Sequence, residues 1–246
     1  MPDFTGLPAP PNGRPPRRRP VAVLFDFAGT LARVEDAIEW VQHAALTCGV
    51  ELERPRATVL ADRLLTAGRA GGPPPHRVPP QLAEVWADRH LYPHAHRAAY
   101  TGLARTVDCG VTGLPDALYE RLLTADGWRL YPDAPPTLVA LQAAGVPVGV
   151  VSNIGFDLRP IAAALGLTGL VDDWVLSYEV GRGKPDPAVF LLACAALGAD
   201  PERVLVVGTA PADAAACEVG CTALIVPPGD SLGGVLDLIG CEPAHS

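Results

Sequence analysis

Five short runs without a polar side chain, at 21–25, 146–151, 174–176, 204–207 and 223–226, constrain this chain more than any other feature. A strand with no polar face must be covered on both sides. That is the condition of a parallel sheet held between two helical layers. The intervening stretches at 134–145, 158–166 and 187–198 read as helices. The last of them opens on Pro187 and closes on Gly198, the usual proline-start and glycine-stop asymmetry. Strand and helix in alternation predict an α/β fold with a doubly wound parallel sheet. An apolar share of 49% is enough to fill both layers.

The first two runs are separated by about 120 residues, too many for one crossover. Helical patterns at 34–48, 56–70, 80–90, 94–107 and 114–124 fill the gap, interrupted at Gly71-Gly72-Pro73-Pro74-Pro75 and at Cys109-Gly110. An insertion directly after the first strand overhangs the C-terminal edge of the sheet, where open α/β folds bind ligands. The chain therefore divides into a Pro- and Arg-rich tail (1–19), an α/β core (20–33 and 129–246) and a helical cap (34–128).

Charge and composition narrow the partners. A net charge of −8 argues against nucleic acid, whose phosphates select Lys and Arg footprints. No apolar run approaches the roughly 20 residues a membrane span requires. The tail carries Arg17, Arg18 and Arg19 but not the apolar stretch of about 7–15 residues that a secretory signal needs. The six cysteines (48, 109, 194, 217, 221, 241) form no CxxC and no ligand ladder, so reduced thiols in a cytoplasmic protein are expected.

Chemistry collects where the strands end. The runs lead into Asp26-Phe27-Ala28-Gly29-Thr30, Ser152-Asn153, Gly183-Lys184-Pro185-Asp186-Pro187 (past the expected strand end at Tyr178-Glu179) and Gly208-Thr209-Ala210-Pro211-Ala212-Asp213. In a parallel sheet these ends share one edge, so two carboxylates, hydroxyls and an ammonium can converge. A lone Asp after a strand is ordinarily a turn residue; four such ends are not so easily explained. Lys184 is the only lysine beside eighteen arginines. A compact ammonium on a flexible stem does what a planar guanidinium cannot between a nucleophile and an anionic substrate.

From about residue 21 to residue 226 this constellation resembles the haloacid dehalogenase-like hydrolase superfamily, with all four of its motifs in order. The resemblance implies Asp26 as nucleophile, Lys184 as its catalytic partner, Ser152, Asn153 and Thr30 as substrate-binding groups, and an α-helical cap between the first two motifs. It implies a magnesium ion (Mg2+) held by Asp26, the Ala28 carbonyl and Asp213, and a small, phosphorylated substrate. Tyr131-Pro132-Asp133 also has the family's look.

Two positions depart from the pattern. The phosphatases of the family carry a general-acid aspartate where this chain has Ala28, and a metal-ligating aspartate where it has Thr209. General acid catalysis contributes about 10²- to 10⁴-fold, so Ala28 disfavours alkoxide leaving groups. Loss of one carboxylate weakens a Mg2+ site. Three functions remain open: a hydrolase of a phosphorylated metabolite with weakened metal binding, suited to acyl phosphates; a metal-independent dehalogenase-type hydrolase, since halide leaves without a proton; and a weak or silent member binding a ligand or protein. Phosphonate-cleaving relatives also have alanine at this position but need a cap lysine, and this cap has none.

Within the cap, His90 and His94 stand at i, i+4, a helical metal-pair spacing that Pro93 disturbs. A packed or solvated cluster is the plainer expectation; a functional version would have His96 or Arg97 reach an anionic tail. Trp40, Trp86 and Tyr100 are expected in the cap core. Phe27 belongs either to the pocket floor or to the core.

Overall fold

The computed structural model describes residues 19–209 and 211–240. Residues 1–18, including Arg17 and Arg18 of the predicted tail, lie outside the described residues, as do Ala210 and Cys241.

Strands β1 (Ala22–Phe25), β4 (Val148–Ser152), β5 (Asp173–Leu176), β6 (Val204–Gly208) and β7 (Thr222–Ile225) form one sheet in the order β5-β4-β1-β6-β7. Every neighbouring pair in it is parallel. β1 lies at the centre; the chain builds outward through β4 and β5, then returns to the other side of β1 for β6 and β7. The reversal places a topological switch point at the C-terminal ends of the strands flanking β1.

Strand periodicity sorts the core into two layers. Val23, Phe25, Val148, Val150, Leu205 and Val207 face one cluster, which includes Leu138 and Leu141 of α6 (Ala134–Ala143), Ile161 of α7 (Arg159–Ala164) and Val235 of α10 (Gly233–Ile239). Ala22, Leu24, Val151, Val204 and Val206 face the other, with Val189 and Phe190 of α9 (Ala188–Ala196) and Ala216 of the 3-10 helix Pro211–Val219. β1, β4 and β6 are buried at every position, as their unbroken apolar runs require.

Helices α1 (Ala37–Thr47), α2 (Arg54–Ala67), α4 (Pro93–Arg105) and α5 (Leu114–Leu122) surround a separate apolar cluster containing Trp40, Leu60, Leu64, Leu114 and Leu118. Asp36 caps α1, its carboxylate accepting the backbone N–H of Ile38 at 2.9 Å. The stretch at 80–90, expected as one helix, is a 3-10 turn at Pro80–Leu82 followed by the short α3 (Ala83–Asp88). α4 starts on Pro93, so His90 lies in the preceding turn and His94 on the helix. The i, i+4 pair does not share a helix, because proline's missing N–H suits a first turn and not an interior.

One element went unpredicted. Ala32–Val34 (β2) pairs antiparallel with Trp128–Leu130 (β3), joining the two chain segments that enter and leave the inserted helices. α1 consequently starts at Ala37, three residues later than its apolar pattern suggested. Beyond β2, Glu35 is buried and accepts the Arg121 guanidinium at 2.5 and 2.9 Å, with His43 Nδ1 at 3.0 Å. Arg69 donates to the Glu35 carbonyl at 2.9 Å. At the opposite edge of the sheet, Arg19 donates to the carbonyls of Ile239 and Gly240 at the end of α10, where a cation complements the helix dipole. No helix among the described residues is long and apolar enough to cross a membrane.

Candidate active site

Asp26 extends the β1 ladder by one bond, its N–H donating to Val207 O at 2.9 Å, before the chain turns over the sheet edge. Its carboxylate meets Lys184, whose Nζ lies 2.9 Å from Asp26 Oδ1 and 2.6 Å from Asp213 Oδ1. The three side chains are almost dry, at 12%, 5% and 1% exposure for Asp26, Lys184 and Asp213. Two carboxylates and one ammonium carry a net charge of −1, an arrangement that is stable only because each charge has a close partner.

The backbone around the triad is shaped to bring these groups together. Asn153 clamps the main chain of Lys184: its Oδ1 accepts the Lys184 N–H and its Nδ2 donates to the Lys184 carbonyl, both at 2.7 Å. A Cβ on Gly183 would lie 2.6 Å from that Oδ1, so only glycine permits the approach. A Cβ on Gly208 would lie 2.2 Å from the Asp213 carboxyl carbon, which makes glycine at the end of β6 the condition for Asp213 to tuck under the sheet edge.

The electrostatics follow from burial and proximity. Burial raises the pKa of Asp26 above the ordinary carboxylate value and the Asp213 charge adds to this, while Lys184 pulls it back. Burial alone would favour neutral Lys184, but Asp26 and Asp213 outweigh it and raise its pKa, so the ammonium stays charged.

The remaining sequence candidates divide. Thr30 is buried in the turn after Asp26, and its Oγ1 has no hydrogen-bond partner. Ser152 is buried at the last position of β4. Asn153 uses one bond at each end of its amide on the Lys184 backbone, so it positions Lys184. Ala28 bridges to Ala32, and Phe27 is fully buried edge-on to Trp128 at 5.4 Å between centroids, a core residue.

The donor set suits a magnesium ion poorly. Positions 28 and 209 supply no carboxylate, Asp26 and Asp213 are both held by Lys184, and no cluster of three or more metal-ligating side chains occurs among the described residues.

The inserted helices press directly on this edge. Ser177, immediately after β5, donates its hydroxyl to the His90 carbonyl at 2.5 Å and accepts the Ile154 N–H at 2.9 Å, tying the turn before α4 to the loop after β4. Ser177 directly follows an apolar run, the signal available for it; Tyr178 and Glu179, expected at the strand end, belong instead to the short α8 (Ser177–Val180). His96 is buried, with Nδ1 2.8 Å from the Tyr119 hydroxyl and its ring edge-on to Phe156. Burial, with Arg89 and Lys184 adding to it, lowers the His90 pKa to about 4, and burial with its charged neighbours lowers that of His96 to about 3. Both rings are neutral packing groups. Arg97 pairs with Glu120 and Asp116 on the outer surface instead of reaching the site. Trp86 and Tyr100 meet edge-on at 5.7 Å, and Trp40 is buried with its indole N–H on the Leu118 carbonyl.

The chain is similar to known proteins. The model of the haloacid dehalogenase-like hydrolases matches residues 21–219. An N-acetylmuramic acid 6-phosphate phosphatase of Pseudomonas aeruginosa is 43% identical over 82 residues, covering 32% of this chain and 36% of that protein. The chain thus spans about a third of that relative. Haloacid dehalogenase-like hydrolase domain-containing protein 3 of Danio rerio is 29% identical over 196 residues, 76% of this chain and 75% of that one. Among solved structures, a dehalogenase superposes with a TM-score of 0.61 at 25% identity, covering 89% of this chain and 96% of its own. Because that family model covers most of the chain, residues 21–219, the chain belongs to the haloacid dehalogenase-like hydrolases.

Proposed function

We propose that this protein hydrolyses a small phosphorylated metabolite through a covalent intermediate on Asp26, in the cytoplasm, with residues 34–128 serving as a cap over the core formed by 20–33 and 129–246. The observation that carries this reading is the Lys184 ammonium held at 2.9 and 2.6 Å between Asp26 and Asp213. A carboxylate oxygen of Asp26 attacks phosphorus as the bond to the leaving group breaks. Water then attacks the aspartyl phosphate, releasing phosphate and regenerating the carboxylate, with the water's proton passing to solvent. Lys184 offsets the charge that a phosphate brings to Asp26, the largest electrostatic demand of phosphoryl transfer. The unpartnered Thr30 hydroxyl and Ser152 are the donors we assign to the phosphoryl oxygens.

Ala28 sets the substrate range. Without a carboxyl there to protonate the leaving group, substrates whose leaving group departs as a stable anion, acyl and aryl phosphates, should turn over about 10²-fold or more faster than alkyl phosphates. The test is a leaving-group series with Asp26→Asn as control. Equal turnover of alkyl and aryl esters, or turnover retained in Asp26→Asn, contradicts the reading.

A second reading has its own support. Halide departure needs neither an acid nor a metal, and both positions where the phosphatase pattern has them, 28 and 209, lack a carboxylate, as suits the likeness to a dehalogenase. Here Asp26 would displace halide from a 2-haloacid and water would cleave the resulting ester. Turnover of a haloacid, undiminished by chelator and without aryl phosphatase activity, would establish this second reading. Activity on neither substrate class would leave a ligand- or partner-binding member of the family.

A further inference from the structure

One cluster of reactive side chains lies apart from the triad. Cys194 on α9 and Cys221, immediately before β7, stand 27 residues apart in sequence, yet their Sγ atoms lie 3.7 Å apart with both residues buried. The remaining described cysteines, Cys48, Cys109 and Cys217, are free thiols, with Cys217 exposed on the same 3-10 helix that carries Asp213. The pair spans two segments important to the site: α9 follows the Lys184 loop, and Cys221 follows the segment bearing Asp213. Both cysteines belong to the apolar layer on one face of the sheet, together with Ala193 and Ala216.

We propose that Cys194 and Cys221 form a reversible oxidation site, closed to a disulfide by a hydroperoxide-class oxidant and reopened by thiols. The balance is complete. A Cys194 sulfur attacks the peroxide O–O bond, forming S–OH and releasing water (or an alcohol). The Cys221 sulfur then displaces the hydroxyl of that sulfenic acid as the S–S bond forms, and the hydroxyl leaves as water with the Cys221 proton. Two thiols give up two electrons and two protons, and the peroxide is reduced. Closure from 3.7 Å to a bond of about 2.05 Å brings the two sulfur atoms together by roughly 1.6 Å. In a reducing compartment such bonds are transient, which makes this pair a sensor and not a staple. The Cys221 S–H donating to the Cys194 sulfur lowers the Cys194 pKa, consistent with Cys194 as the attacking member.

The test uses the full chain and does not depend on its activity. The protein is treated with hydrogen peroxide, blocked with iodoacetamide and mapped by non-reducing peptide mass spectrometry. The expected product is a peptide pair joining Cys194 to Cys221, about 2 Da lighter than the two thiol peptides together and removed by dithiothreitol. Cys217→Ser should leave the linkage in place, whereas Cys221→Ala should abolish it. A bond from Cys217 to either residue, or Cys194 and Cys221 both still alkylated after oxidation, would overturn the proposal. Mapping of the unsubstituted chain remains decisive even if the alanine variant does not fold.

Discussion

Replacing Lys184 with methionine keeps the stem's volume and removes one charge from a site that holds three. At an effective dielectric of about 20, each contact is worth roughly 6 kcal/mol of gross Coulomb attraction at its observed distance, 2.9 Å to Asp26 and 2.6 Å to Asp213. The desolvation of three buried ions offsets most of this in the native protein. The variant loses the attraction but leaves the carboxylates buried. Their bonded oxygens cannot be farther apart than the two distances laid end to end, about 5.5 Å, so their mutual repulsion is at least about 3 kcal/mol. Breaking a buried pair this way costs about 3–5 kcal/mol, and the cost should depend on pH. With the ammonium gone, nothing offsets burial, and the folded pKa of Asp26 rises further above its unfolded value. The stability this adds is present at low pH, where Asp26 is protonated, and is lost as pH rises through its folded value. Urea unfolding at pH 5 and pH 8 should therefore show a deficit of about 3–5 kcal/mol for Lys184→Met at the higher pH, shrinking at the lower. Aryl phosphatase activity at pH 8 should fall at least about 100-fold, because Asp26 loses its counter-charge. A deficit below about 1 kcal/mol at pH 8, or one of equal size at both pH values, would refute the reasoning.

Three further predictions follow from the site and its surroundings. Calorimetric titration of the native protein with Mg2+ should show no saturable binding at millimolar concentrations, whereas Ala28→Asp combined with Thr209→Asp should create it; tight binding by the unsubstituted protein would contradict the weak donor set. His90 and His96, with pKa values of about 4 and 3, should remain neutral from pH 5 to pH 8, so their imidazole NMR shifts should be flat there, and an inflection near pH 6.5 from either would contradict their burial. Ser177→Ala removes hydrogen bonds of 2.5 and 2.9 Å that tie the turn before α4 to the loop after β4. It should cost about 1–3 kcal/mol in unfolding free energy and raise KM more than it lowers kcat, and an unchanged KM would detach this contact from substrate binding.

Where the sequence was legible and where it was not divides along physical lines. The central strands could be read because burial on both faces leaves an unbroken apolar run, and β1, β4 and β6 are buried throughout. The residues after those strands could be read as neighbours because parallel strands end on one edge, and Lys184, Asp26 and Asp213 do meet there. The β2–β3 pair could not, because each strand has three residues and only its first is fully buried, too short for any periodicity to register. Asn153 shows the other limit: an amide at a strand end is equally suited to a ligand or to a neighbouring backbone, and only the approach of Gly183 decides for the backbone. The contacts of Ser177 with His90 and of Cys194 with Cys221 join residues far apart in the chain through tertiary packing, which no local pattern encodes.

The role of Asp26 is tested most directly by acid-quenching the protein during turnover of an aryl phosphate and mapping the modified residue by mass spectrometry. A phosphoryl group carried on Asp26, absent from Asp26→Asn along with turnover, is the predicted result. Turnover with no covalent species, in a protein whose Asp26→Asn form remains as active, would contradict it.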